Sequence, residues 1–201
     1  MEEKHHGISL KVTDSANKHV PVSNPGEKSF HGSKEILNQH RAHILKKFPK
    51  LKHATNAATR KEMMRSDKNM HDYVKKKNTE TLTHAAKAYH EHLKSLPSHE
   101  LVHHVKHIVH SHETPMQKQG HNHIRHVTFT KSDGSYGHHS ITPSAHHAHI
   151  YADHHNIEVH HSGTGVHFSH KGKTFGRVAL KFSSQSDPLS SIKGSGQTSG
   201  N

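Results

Sequence analysis

Within one short stretch, Glu158, His160, His167 and Lys181 place a carboxylate, two imidazoles and an amine at alternating positions. These types suit phosphate chemistry. A carboxylate holds a divalent ion, an imidazole with a pKa near 6.5 serves as general base, and an ammonium stabilises charge developing on a phosphoryl group. A metal-dependent nuclease would use Glu158 and Asp153 for the ion, His160 or His167 as base, and Lys181 as electrophile. Arg177, Lys171, Lys173 and Lys193 add cations that would contact a nucleic-acid backbone.

The acid–acid–lysine order is similar to that of restriction-type nuclease cores, but Ala179 stands where the second acid of an E-x-K triplet lies. The chain is therefore not assigned to that family.

A second constellation is His99-Glu100-Leu101-Val102-His103, which satisfies HExxH. One turn of helix brings two such imidazoles onto one face, where they bind zinc while the glutamate polarises a metal-bound water. His107 and His110 extend the same face. Among 31 His a chance HExxH is unsurprising, and imidazole surfaces also take up nickel or copper adventitiously. The metal expectations are thus His99, His103, His107, Asp153 and Glu158, with Mg, Zn or Ni as the ion.

The elements that must position these residues follow from periodicity. Ile157, Val159, Val166, Phe168, Val178, Leu180 and Phe182 fall on one face of three strands read with period two. Ser162-Gly163-Thr164-Gly165 and Lys171-Gly172 supply the hairpin turns, and Gly176 marks a bulge. The opposite face collects Glu158, His160, His167, Ser169, Arg177 and Lys181, with Phe175 as the one outward aromatic. Upstream, apolar spacing predicts helices over 34–48, 59–77, 80–96 and 98–112, with Ser33, Thr79 and Ser98 as caps and a break at Asn78-Thr79. A strand is expected over 121–130, and a short helix opening at Thr142-Pro143-Ser144.

The fold class expected is α+β: about four helices in the N-terminal half, packed with a C-terminal antiparallel meander of about four strands. Residues 1–32 read as a loosely ordered arm, 33–182 as a single domain (helices 33–112, strands 121–182), and 183–201 as a flexible Ser/Gly-rich tail.

Composition bounds the function. The chain has 201 residues, a hydrophobic fraction of 28% and no Cys, which excludes disulfides, thiolate metal sites and cysteine nucleophiles. No apolar run is long enough for a membrane span and no signal peptide is evident, so a cytoplasmic or host-cell interior location is expected, with no membrane partner. Lys and Arg outnumber Asp and Glu by 28 to 16, giving +12 with His neutral. That excess points to DNA or RNA as partner, for a nuclease or a nucleic-acid-associated viral or virion component. The alternative is a histidine-rich transition-metal-binding protein, with a zinc hydrolase built on HELVH as a further reading.

Overall fold

The computed structural model describes residues 6–13, 19–110, 123–132, 135–141 and 147–199. Four helices fill the N-terminal half, α1 (Ser33–Lys47), α2 (Ala57–Ser66), α3 (Lys68–Ser95) and α4 (Ser98–His110), with a short α5 (Ala148–Ala152) later. The strands are β1 (His6–Thr13), β2 (His19–Ser23), β3 (His123–Ser132), β4 (Ser135–Ile141), β5 (Ile157–Ser162), β6 (Gly165–His170), β7 (Lys173–Phe182) and β8 (Ile192–Ser199). The architecture is mixed α+β, as the sequence implies. No described helix is long and apolar enough to cross a membrane.

The main sheet has the order β2-β8-β7-β6-β5 and is antiparallel throughout. A separate three-stranded sheet pairs β1 parallel with β3, and β3 antiparallel with β4. Apart from Phe175, the inward positions of the meander are those the alternation predicts. The bulge falls at Phe175, between the pairs Phe168↔Gly176 and Ser169↔Thr174. It turns Phe175 inward against Phe168, Tyr151 and His147, leaving it 3% exposed and not the outward aromatic expected.

Local chemistry sets the helix ends. Ser33 is the first helical residue and not the cap. Gly32, with φ 78°, precedes it, and the Ser33 hydroxyl donates back to the Glu27 carbonyl. Asn56 and Asp67 accept from the Thr59 and Met70 amides and so cap α2 and α3. The predicted break at Asn78-Thr79 is absent. The Thr79 hydroxyl bonds the Lys75 carbonyl one turn back, which satisfies it within a continuous helix. The break lies at Asp67, where a good cap already stands.

The segment expected as a mobile tail is also different. β8 lies between β7 and β2, with Ile192 and Thr198 buried. Its connection to β7 is folded down by Arg60, whose guanidinium meets both Asp187 oxygens at 2.8 and 2.9 Å, and by Arg41, which donates to the Leu189 carbonyl. The expected N-terminal arm likewise supplies β2 to the sheet edge. The start of the short helix expected from Thr142 lies outside the described residues.

The helices cover one face of the sheet. Leu37, Tyr89, Leu93, Val105, Ile108 and Val109 meet Val166, Phe168, Val178, Leu180, Phe182 and Ile192 in one core. A smaller cluster of Ile44, Phe48, Leu51, Met64, Met70 and Val74 joins α1, α2 and the start of α3. Where α4 crosses β7 and β8, the inward positions are Gly176 and Gly196. A Cβ at Gly196 would lie 2.0 Å from Ser23 Oγ and 2.6 Å from the Ile108 carbonyl oxygen. Ser23 Oγ donates to that same carbonyl, locking β2 to α4. Gly196→Ala therefore loses about 2 kcal/mol or more by overpacking. Gly26→Ala, with nothing within 4 Å of its new methyl, stays near wild type; equal melting temperatures for the two variants would contradict this packing.

His40, 3% exposed on α1, is hydrogen-bonded to Thr81 Oγ1 of α3 at 2.9 Å. Burial lowers its pKa from 6.5 to about 4; the Pro188 carbonyl opposes the shift, while Lys77, Arg41 and His43 reinforce it. The unfolded chain therefore takes up this proton more readily than the folded one. The stabilisation is full above pH 6.5 and is lost as the pH falls toward about 4. His40→Gln should remove about 2 kcal/mol of the acid-dependent loss, read from denaturant melts between pH 7 and 4.5.

Candidate nucleic-acid interface

The outward face of the main sheet is built by the residues that alternate with the core. One rung runs across four strands: His160 opposite His167, His167 opposite Arg177, and Arg177 opposite Gln197. Arg177 Nε donates to Gln197 Oε1, which points the guanidinium along the rung. Burial lowers the half-buried His167 below the usual imidazole range, and Arg177, His160 and His161 lower it further. His167 is thus neutral near pH 7.

Next to this rung, Glu158 stands opposite Ser169. His160 Nε2 lies 2.8 Å from Ser169 Oγ and 3.2 Å from Glu158 Oε2. A nucleophilic triad needs its acid and its serine on different ring nitrogens, whereas here one nitrogen meets both. The trio is a hydrogen-bonded knot and not an acyl-transfer site.

Farther down the strands, Lys181 of β7 stands directly opposite Lys193 of β8. Like charges facing each other across a ladder repel. Among the described residues no carboxylate pairs with either amine. The register also parts Lys181 from Glu158. They sit three rungs apart on strands separated by β6, so about 20 Å of strand length lies between them. The expected nuclease set is therefore divided: Glu158, His160 and His167 gather at one corner of the face, and Lys181 joins Lys193 at the other.

The remaining expected residues take other positions. Asp153 accepts from Lys171 at 2.8 Å, Asn156 at 2.8 Å and His170 at 3.0 Å. The Lys171 ammonium, first among these donors, holds its carboxyl far below the usual range. Lys171 is thereby engaged at the β6–β7 turn, while Lys173 is exposed at the start of β7. His99 and His103 lie in the first two turns of α4, lining an open depression with Glu100 and His104. His107 is exposed on the same helix.

Among the described α4 side chains, the imidazole with a ring contact to another element is His104, which the sequence reading passed over. Its ring is 5.9 Å from that of His92 on α3, which stacks on His31 at 4.2 Å. Among the described residues no group of three or more His, Asp or Glu is disposed to hold a metal ion.

Gln197 was also missed, because its strand reads as Ser/Gly-rich. The signal was present in the alternation of Ile192, Gly194, Gly196 and Thr198 with Lys193, Ser195 and Gln197. Comparison with known proteins returns no matching family model, no matching curated protein and no matching solved structure.

The rung has a measurable signature. Ring resonances of His167 should titrate below 6.5, and Arg177→Gln should move the midpoint upward by removing an adjacent cation. An unmoved midpoint would break the assignment of Arg177 as its neighbour.

Proposed function

We propose that this chain binds nucleic acid electrostatically through the outer face of its main sheet. The observation that carries the reading is the Lys181–Lys193 pair, two amines set opposite each other with no described counter-ion. Such a pair is disfavoured in the free protein and relieved by a phosphate bound between the amines. Arg177 extends the cationic strip along β7, and the neutral His167 beside it gives a base a polar edge without adding repulsion. The net charge of +12 supplies the long-range attraction. Binding, and not cleavage, is favoured, because Glu158 and Lys181 are too far apart to act on one phosphate.

Oligonucleotide binding measured by fluorescence anisotropy across a salt series tests the reading. The affinity should fall steeply with salt, and Lys193→Glu should lower the slope by about one. The same substitution places opposite charges across the ladder, so its melting temperature should hold or rise. Weaker binding without loss of stability separates the effect from unfolding. Salt-independent binding, or a Lys193→Glu chain that binds like wild type, would overturn the proposal.

A further inference from the structure

Four imidazoles gather beside the β5–β6 hairpin: His90 of α3, His160 and His161 of β5, and His167 of β6. Three of them are engaged within the fold. His90 Nε2 meets the Val159 carbonyl at 3.2 Å, His161 Nε2 the Gly163 carbonyl at 2.9 Å, and His160 Nε2 the Ser169 hydroxyl at 2.8 Å. His167 makes no ring hydrogen bond among the described residues. Its ring leans along β6 over Gly165, where a Cβ would come to 3.5 Å from Nε2. His167 is thus the imidazole of this group open to a partner from outside the chain.

Its neighbours select that partner. Directly opposite on β7 stands Arg177, whose Nε is taken by Gln197 Oε1 and whose terminal nitrogens make no ion pair among the described residues. The charged and titratable groups around His167 are Arg177, His160 and His161. Glu158 reaches this group through His160 and Ser169, and His90 through its ring contact with His161 at 6.0 Å. No described carboxylate therefore meets His167 directly. In the free protein, a proton on His167 would set a second cation across the ladder from Arg177, which is unfavourable. An anion lying across both side chains removes that cost and accepts charge-assisted hydrogen bonds from each.

We propose that a phosphate of the bound nucleic acid seats across Arg177 and His167, and that His167 takes up a proton from solvent as it does. The proposal rests on the nucleic-acid reading above and adds to it a dependence on acidity, since binding and protonation each favour the other. Because the complex holds one more proton than the free chain, affinity rises as the pH falls from neutral. The gain levels off once His167 is charged in the free protein as well. Arg177 stays charged throughout, so neutral pH weakens the seat without abolishing it.

The test titrates the full-length chain with a fluorescent oligodeoxythymidylate, whose bases do not titrate in the range used, at one fixed low salt and at about pH 7.5 and 5.5. Wild type should gain about fivefold more affinity on acidification than His167→Gln, as a one-unit rise in a single midpoint gives over that interval. His167→Lys, cationic at every pH used, should show the same reduced gain while binding more tightly than His167→Gln at neutral pH. A merely structural role would weaken both variants alike. In NMR spectra, the ring resonances absent from His167→Gln identify His167, and their midpoint should move up when the oligomer is present. An unmoved midpoint, or an equal gain in wild type and His167→Gln, overturns the proton link and leaves salt-dependent binding standing. Failure of the oligomer to bind at either pH overturns the nucleic-acid reading itself.

Discussion

The close approach of α4 to β7 and β8 is the constraint around which the rest of the molecule is arranged. A helix normally rests on a sheet through side chains from both partners. Here the sheet contributes glycine at Gly176 and Gly196, and α4 brings Val109 and Ile108 down to the backbone. Gly194 repeats the device beside Phe30 and Pro25, where the turn before α1 crosses the same strand. A thin core is thereby filled by one partner's side chains. This suits a chain with few apolar residues, because each buried Ile or Val serves two layers.

That arrangement also explains which parts were legible in the sequence. The β5–β7 meander could be read because its inward positions carry Ile, Val, Phe and Leu, so period two is visible. β8 was harder to read, since two of its four inward positions are glycine and its outward ones are Ser, Gln and Lys. A strand whose buried face is filled from the opposite layer has no hydrophobic pattern of its own. The continuity of α3 was hidden differently: Asn78 and Thr79 favour turns locally, but one is buried and the other is satisfied by a carbonyl a turn back. Alternation correctly assigned Glu158, His160, His167, Arg177 and Lys181 to one face. It could not assign the rung, because rungs depend on pairing register. Rung separation is what removes Lys181 from Glu158.

Charge and cavity meet at the end of β7. Lys181 and Phe182 are consecutive, so their side chains leave the strand in opposite directions. Lys181 belongs to the outer ladder beside Lys193, while Phe182 is buried and walls a cleft under α3. The connection that follows is fastened to α1 and α2 by Arg41 and Arg60. The strand end is therefore rigidly tied to the helical layer. Under the proposed reading, a strand of nucleic acid would meet a preset geometry, with little ordering of protein required on contact.

The placement of β8 between β7 and β2 has a consequence for how the chain matures. β2 pairs through His19, Val20 and Pro21 with Ser199, Thr198 and Gln197, partners that emerge from the ribosome far later. Until β8 arrives, the outer side of β7 is an unprotected row of backbone donors and acceptors, open to chance association with other nascent chains. The long-range closure makes assembly of this layer slower than formation of the helices.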